Sequence, residues 1–319
     1  MYRIGIDLGG TNIAVGVVDD TNYEIIGRAS EKTNLPSSAE SIVEKIGRAV
    51  KNAVENAGIS MDSVVSAGIG APGAVTYDGF VEFSSNFGFE NVPLRSMVEM
   101  EILKPVQIEN DANCAAIGER FAGCGNLSDD FIAITLGTGI GGGIISNGRL
   151  ITGVNGAAGE IGHFVIEKDG IECPCGRHGC FEQYASATAL IRQTKEALMK
   201  DTDHTSKMWT IIDGDINRVN GKTPFDGLHI KDTLAKQVID NFVKYLGCGV
   251  TSLVNIFQPE ILCIGGGISN AGDDIIIPLM KIVERERYTK HSKKQTKICT
   301  ATLGNDAGII GAALINTLE

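Results

Sequence analysis

Two stretches of similar sequence, RIGIDLGGTNIAVGVVD at residues 3–19 and FIAITLGTGIGGGIIS at residues 131–146, decide the fold of this chain. Each consists of an apolar run, a turn of glycine and threonine, and a second apolar run, which is the pattern of a β-hairpin. The second stretch repeats the first about 127 residues later. The repeat indicates an internal duplication.

The rest of the chain alternates between strand and helix patterns. Apolar residues with helical spacing predict a helix over 38–56, and Gly58 follows as a stop signal. A strand over 106–108 runs into Glu109, Asn110 and Asp111, and a helix over 112–122 follows, so polar groups lie at the ligand edge typical of an open α/β sheet. The other expected elements are strands over 64–70, 261–264 and 297–301, and helices over 232–257, 273–287 and 307–318.

Length and composition indicate a globular chain of about two domains. It has 319 residues, of which 43% are hydrophobic and 21% charged, and 40 are glycine. The net charge of -11 has the wrong sign for binding a nucleic-acid backbone. An anionic ligand would therefore have to be met by backbone N–H groups and a metal ion. No segment resembles a membrane span or a signal peptide, so we expect a cytoplasmic protein with no membrane partner.

Three glycine turns follow apolar strands and could bind phosphate oxygens through backbone N–H groups. They are Gly9, Gly10 and Thr11; Gly137, Thr138 and Gly139; and Gly265, Gly266 and Gly267. A single such turn is more often an ordinary tight turn, but three of them point to a nucleotide held between similar halves.

Two glycine motifs resemble known nucleotide-binding motifs but lack the strands and helices that such motifs require on either side. Gly137, Gly139 and Gly142 fit a dinucleotide fingerprint, yet the segment continues into a strand instead of a helix. Gly221-Lys222-Thr223 resembles the end of a P-loop, but Ile216 occupies the place of its first glycine and no strand precedes it.

A cluster of soft ligands within HFVIEKDGIECPCGRHGC, at residues 163–180, predicts a structural zinc site. His163, Cys173, Cys175 and Cys180 would supply a closed tetrahedral set. His178 is an alternative ligand in the same loop, and free thiols with a surface histidine are the alternative to a metal site.

Carboxylates near the zinc loop and after the strand at 106–108 could carry the chemistry. Glu160 and Glu182 flank the cysteine loop, and carboxylates that accept several hydroxyl hydrogen bonds suit a neutral polyol, although either could be a solvated loop charge. Asp111 is a candidate base for phosphoryl transfer to an alcohol, and Asn110 or Asp111 could instead cap the next helix. Asp7 could orient hydrated Mg²⁺ beside the first glycine turn.

The ordered motifs DLGGTN (7–12), APG (71–73), END (109–111), LGTGIGGG (136–143), GEIGH (159–163) and CPCGRHGC (173–180) resemble the ROK family of sugar kinases and repressors. Within that family the chain is most similar to the ATP-dependent bacterial glucokinases. The resemblance implies an actin-like, hexokinase-type α/β fold of two ribonuclease-H-like domains with an interdomain cleft. We place the domains at 1–118 and 119–304, with the C-terminal helix at 305–319 packing back on the first.

The resemblance also implies roles for individual residues. Asp111 matches the family's catalytic base for the 6-hydroxyl of a hexose, with glucose preferred and MgATP as donor. The sequence departs from the family pattern at Asn12, where many relatives carry Lys. The residues that match the family's sugar-hydroxyl ligands are Asn86, Asn110, Glu160, His163 and Glu182. Those that match its nucleotide-contacting turns are Gly10, Thr11, Thr138 and Gly266. Those that match its zinc ligands are His163, Cys173, Cys175 and Cys180.

Several alternatives stay open at this point. The acceptor could be N-acetylmannosamine or fructose, and the donor could be polyphosphate. A sugar-responsive repressor of the same family would carry a helix-turn-helix module ahead of the kinase-like region, whereas here a strand is expected from Arg3, and the negative charge disfavours DNA binding. The chain could also be a sugar-binding module without catalytic activity, but the presence of the candidate base Asp111 argues against this. We expect a homo-oligomer, a dimer or a tetramer, as is common in the family.

Overall fold

The computed structural model describes residues 1–84 and 86–317. Within them the chain is a mixture of strands and helices, with runs of consecutive strands in its first third and a run of consecutive helices in its second half. The strands are β1 (Tyr2–Leu8), β2 (Asn12–Asp19), β3 (Ile25–Lys32), β4 (Val64–Ala71), β5 (Ala74–Val75), β6 (Val81–Ser84), β7 (Phe89–Val92), β8 (Val106–Asn110), β9 (Phe131–Leu136), β10 (Ile140–Ser146), β11 (Arg149–Leu150), β12 (Ile261–Gly265) and β13 (Lys297–Thr300). The α-helices are α1 (Ala39–Asn56), α2 (Leu94–Ile102), α3 (Asp111–Ala122), α4 (Glu182–Ala185), α5 (Ala187–Lys200), α6 (Met208–Ile211), α7 (Thr223–His229), α8 (Thr233–Phe257), α9 (Asp273–Glu286) and α10 (Asp306–Ala313).

Two five-stranded sheets repeat the same strand order, and a small three-stranded sheet contains β5, β6 and β7. The first sheet has the order β3-β2-β1-β4-β8, and the second has the order β11-β10-β9-β12-β13. In the first sheet β1 is antiparallel to β2 and parallel to β4, which is parallel to β8. Because β9 and β10 occupy the places of β1 and β2, the predicted internal duplication is confirmed.

Helix boundaries follow local capping signals. Ser38 caps α1 by accepting a hydrogen bond from the N–H of Ser41, and Asp232 caps α8 by accepting one from Ala235. α8 ends at Phe257; the next residue, Gln258, has the left-handed conformation, and Pro259 follows. These two helices lie within one residue of the predicted bounds.

Other elements differ from prediction at their ends. β8 extends to Asn110, so α3 begins at Asp111, one residue earlier than predicted. The third glycine turn leads first into a 3₁₀ helix over Gly267–Ala271 and only then into α9. The last helix is shorter than predicted, because α10 stops at Ala313 and a 3₁₀ turn over Ile315–Thr317 follows. The remainder of that predicted helix lies outside the described residues.

The C-terminal helix α10 packs against α3 and β1 with very close backbone approach. A Cβ atom at Gly5 would overlap the carbonyl oxygen of Ile309, and one at Gly311 would overlap the carbonyl oxygen of Cys114. Glycine is required at these positions because the two backbones would otherwise collide. The end of the chain is thereby joined to its first strand.

The chain divides into two compact units. The first contains Met1–Ala133, Gly142–Gly159 and the described residues from Ala301 on, and the second contains Ile134–Gly141 and Glu160–Thr300. The boundary predicted between residues 118 and 119 stays a prediction. Across the described residues, no helix is both long enough and apolar enough to cross a lipid bilayer.

Candidate active site

In the first unit, three parallel strands bring candidate residues to one sheet edge. Asp7 on β1 lies opposite Gly70 on β4, which in turn lies opposite Glu109 on β8. Asn110 ends β8, and Asp111 opens α3 immediately after it. The carboxyl ends of parallel strands are where ligands bind in open α/β sheets. The structure brings Asp7, Asn110 and Asp111 to this edge, which agrees with the predicted position of Asn110 and Asp111.

Of the two candidates for the N-cap of α3, Asn110 and Asp111, the structure shows that Asn110 is the cap. Its Oδ1 accepts hydrogen bonds from the N–H groups of Ala112 at 2.9 Å and Asn113 at 3.3 Å, while its Nδ2 donates to the carbonyl oxygen of Gly73 at 3.2 Å. Asp111 is the exposed first residue of α3, and its Oδ1 lies 2.8 Å from the N–H of Ala112. Its carboxylate therefore stands at a helix N-terminus, where negative charge is favoured.

Partly buried carboxylates at this edge have raised pKa values. Burial, and then the nearby charge of Asp111, raise the pKa of Asp7 to about 6. Burial also raises the pKa of Glu109, against the lowering effect of hydrogen bonds from the Asn113 side chain and the Asn110 N–H. Oxygen donors that repel one another are suited to a divalent cation such as Mg²⁺.

The first glycine turn leaves one face open. Its ends are tied together, because the N–H of Gly9 donates to the carbonyl oxygen of Asn12 at 3.0 Å and the Thr33 hydroxyl donates to the Gly9 carbonyl at 2.7 Å. A Cβ atom at Gly10 would meet no heavy atom within 4 Å, and Thr11 is exposed. A ligand could approach the backbone here. Asn86, by contrast, is an exposed residue of the turn between β6 and β7.

In the second unit, the other two glycine turns border a large cavity. This cavity has a volume of about 840 Å³, and Gly137 and Thr138 line it together with Gly267. Gly266 has a φ of 84° and lies so close to Leu136 that a Cβ atom would overlap its backbone. The turns after β9 and β12 therefore lie side by side. Gly265 is the buried last residue of β12 and directly precedes the turn after that strand.

The wall of this cavity also contains residues that the sequence analysis did not predict. They belong to α7, to the loop before it and to the 3₁₀ helix after β12, and include Asn220, Lys222, Phe225, Asp226, Ile268 and Asn270. The only sequence signal there was the Gly-Lys-Thr segment, which failed as a P-loop.

The cysteine loop forms a cluster that fits zinc. The ligand atoms of His163, Cys173, Cys175 and Cys180 all lie within 4.8 Å of one another. Cys175 Sγ lies 3.6 Å from Cys180 Sγ, and Cys173 Sγ lies 3.7 Å from His163 Nδ1. Tetrahedral zinc with Zn–S bonds of about 2.3 Å would separate its ligand atoms by roughly 3.8 Å, so the cluster has the right size.

Local backbone geometry explains how this cluster forms. Gly179 has a φ of 80°, and a Cβ atom there would overlap the carbonyl oxygen of Glu167, so only glycine lets the loop fold back. His178 is exposed and does not belong to the described group of converging ligand atoms. Burial raises the pKa of the Cys173 thiol to about 12, which a bound cation would oppose.

The two predicted sugar carboxylates lie on either side of the cluster in the chain. Glu182 Oε1 lies 3.2 Å from Cys173 Sγ and 3.7 Å from His163 Nδ1. Its other oxygen, Oε2, lies against the second glycine turn, 2.5 Å from where a Cβ atom of Gly139 would be. Glu160 is exposed and starts the 3₁₀ turn that carries His163, whose N–H donates to the Glu160 carbonyl at 3.1 Å.

These features define a two-unit α/β protein with a cavity bordered by glycine turns and, in the same unit, a cluster of three cysteines and a histidine whose geometry fits a metal ion. The chain belongs to the ROK family, whose model matches residues 3–318. The expected actin-like α/β fold of ROK sugar kinases is confirmed.

Similar proteins cover nearly the whole chain. It is 37% identical to the glucokinase of Thermotoga maritima over 316 residues, which are 98% of this chain and 96% of that protein. It is 36% identical to the glucokinase of Halalkalibacterium halodurans over 312 residues, 97% of this chain and 93% of that protein. The crystal structure of a ROK family glucokinase from Streptomyces griseus in complex with glucose and AMPPNP has a TM-score of 0.81 at 37% identity and covers 99% of both chains.

Proposed function

We propose that this protein transfers the γ-phosphoryl group of ATP to the 6-hydroxyl of glucose. One observation carries the proposal: a single turn of the second unit contacts both the donor cavity and an acceptor carboxylate. Gly137 and Thr138 line the 840 Å³ cavity, and Gly139 touches Glu182. A kinase needs donor and acceptor sites that are direct neighbours, because the reacting oxygen and phosphorus must come within about 3–3.5 Å.

The cavity suits the nucleotide. Leu136, Phe225 and Ile268 provide apolar surface for a base, and the glycine turns provide backbone at the other side. On the first unit, the open turn at Gly10 and Thr11 is proposed to bind phosphate oxygens, with Asp7 orienting Mg²⁺. The cation would offset the negative charge of the phosphates and of the carboxylates around it.

The acceptor is proposed to be a hexose bound through its hydroxyls. The carboxylates of Glu160 and Glu182 accept hydrogen bonds from these hydroxyls, the amide of Asn110 exchanges one with them, and Asn86 is proposed to contribute another. A zinc ion bound through Nδ1 of His163 would leave Nε2 to donate to a hydroxyl as well. Buried polar groups that lose their partner penalise sugars lacking the matching hydroxyl.

The reaction requires one proton transfer and one displacement. The carboxylate of Asp111 accepts the proton of the 6-hydroxyl as that oxygen bonds to the γ-phosphorus. The bond between the γ-phosphorus and the oxygen bridging to the β-phosphate breaks, and ADP leaves with that electron pair. Zinc at His163, Cys173, Cys175 and Cys180 is proposed to be structural, because four protein ligands leave no open position.

A coupled ADP-release assay over a panel of hexoses tests the proposal. We expect turnover with ATP and glucose to exceed that with fructose or N-acetylmannosamine, and polyphosphate to be the poorer donor. Phosphorus NMR of the product should show a phosphate ester on carbon 6. Turnover with N-acetylmannosamine above that with glucose would contradict the proposed acceptor, and absence of turnover with every sugar would contradict the proposed reaction.

We also propose that the protein is a cytoplasmic homo-oligomer, either a dimer or a tetramer. Light scattering coupled to size-exclusion chromatography measures the mass directly, against 33.8 kDa for one chain. A mass of one chain at micromolar concentration would contradict it.

A further inference from the structure

The Gly-Lys-Thr segment before α7 has a fixed conformation although it is not a P-loop. Asn220 Oδ1 accepts a hydrogen bond from the N–H of Lys222 at 2.9 Å, and the N–H of Asn220 donates to the hydroxyl of Thr223 at 3.1 Å. These two bonds close the loop on itself. The backbone from which the Lys222 side chain extends is therefore held in place.

This loop lies beside the glycine turns that border the 840 Å³ cavity. A Cβ atom at Gly221 would be 3.4 Å from Cδ1 of Ile268, the second residue of the 3₁₀ helix after β12. The turn before that helix packs in turn on Leu136 through Gly266. Lys222 itself lines the cavity with Gly137 and Gly267.

Lys222 is the cation available to an anionic ligand in this cavity. The charged or titratable residues of the wall are Lys222, Asp226 and His229. His229 is already paired, since its Nε2 lies 2.7 Å from Oδ2 of Asp274. Within residues 1–84 and 86–317, Lys222 Nζ forms neither an ion pair nor a hydrogen bond.

We propose that Lys222 contacts the phosphate groups of the bound nucleotide and so determines how strongly affinity depends on those phosphates. This inference rests on the proposed function and names a residue of its donor site. It adds one side chain to the backbone N–H groups and the metal ion that are expected to meet the phosphates. A lysine acts there as a point charge on a flexible stem, which suits phosphate oxygens.

Isothermal titration calorimetry with ATP, ADP and adenosine tests this role in the full-length protein. We expect Lys222→Met to weaken binding of ATP and ADP roughly fivefold to thirtyfold, which reaches below the range for hydrogen bonds to charged groups because the residue is exposed. Adenosine affinity should stay within about twofold, and Lys222→Arg should recover most of the ATP affinity. The ATP affinity of Lys222→Met should also depend less on salt than that of the wild type.

A matched control is Lys236→Met, which removes an exposed lysine of α8 that pairs with Asp240 and does not line the cavity. Its nucleotide affinities should equal those of the wild type. Unchanged ATP affinity in Lys222→Met, or an equal loss for adenosine and ATP, would overturn the inference and leave the proposed function intact. Failure of the wild-type protein to bind ATP would overturn both.

Discussion

Replacing Gly139 with alanine tests how closely the glycine turn and the sugar carboxylate depend on each other. The new Cβ atom would lie 2.5 Å from Glu182 Oε2, whereas a relaxed contact needs about 3.5 Å, so the carboxylate must retreat by about 1 Å. Its other oxygen lies 3.2 Å from Cys173 Sγ, which limits the directions in which it can move. The turn itself has no left-handed φ at Gly139, so alanine fits its backbone.

The size of the effect follows from that displacement. Moving an acceptor by about 1 Å stretches a hydrogen bond of about 2.8 Å beyond the range in which it contributes. Losing one bond from a sugar hydroxyl to a charged carboxylate costs about 1.5–3 kcal/mol. The KM for glucose should therefore rise by roughly tenfold to a hundredfold.

The assay is glucose titration at saturating ATP, with ADP release as the readout. Gly137→Ala is the paired variant, because a Cβ atom there meets nothing within 4 Å, and its KM for glucose should stay at the wild-type value even if its KM for ATP changes. Thermal unfolding and zinc content should be measured for both variants. A folded Gly139→Ala protein whose KM for glucose lies within twofold of the wild type would refute the reasoning.

Three further predictions concern the cysteine cluster and the carboxylates of the first unit. Cys175→Ser should abolish zinc binding, measured by elemental analysis, and raise the KM for glucose because Glu182 contacts the cluster. The control is Cys248→Ser, which removes an exposed thiol elsewhere. An unchanged KM for glucose in protein shown to lack zinc would reject the coupling between the cluster and sugar binding. Asp7→Asn should stabilise the protein at pH 7.5 by up to about 3 kcal/mol, since the raised pKa of about 6 means that the folded protein holds a disfavoured charge above pH 6. That gain should disappear as the pH falls from 6 to below 4, where Asp7 is protonated in both the folded and the unfolded state. Chemical denaturation across this range measures the free energy of unfolding, and a difference between variant and wild type that stays constant with pH would contradict the prediction. Glu109 Oε1 accepts hydrogen bonds from the Asn110 N–H and the Asn113 side chain and so holds the backbone just before Asp111. Glu109→Gln should lower kcat less than fivefold because its oxygen can still accept these bonds, whereas Glu109→Ala should lower kcat by roughly tenfold or more. Equal kcat values for the two variants would show that these hydrogen bonds do not position Asp111.

The repeated hairpins could be read from the sequence because their physical causes are local. Alternating apolar residues such as Ile4 and Ile6 fill the core, and a capping serine at Ser38 defines the start of α1. The cysteine cluster was equally visible, since its four ligands lie within one loop. Such signals need no knowledge of distant contacts.

The donor cavity could not be predicted in the same way, because its wall combines segments far apart in the chain. Phe225 reaches it from a helix of seven residues, too short for a periodic apolar pattern, and Lys222 from the residue just before that helix. The approach of Gly139 to Glu182 is likewise a long-range contact that no spacing reveals. Even at the sheet edge, sequence left open whether Asn110 or Asp111 caps α3, and only the hydrogen bonds to Asn110 Oδ1 decide it.

The central claim is that the carboxylate of Asp111 accepts the proton of the hexose hydroxyl. Asp111→Asn keeps the size of the side chain and removes the base. We predict that kcat in the ADP-release assay falls by at least ~10²-fold, the usual contribution of a positioned general base, while the calorimetric affinity for glucose stays within about threefold. A folded Asp111→Asn protein with kcat within tenfold of the wild type would contradict the account.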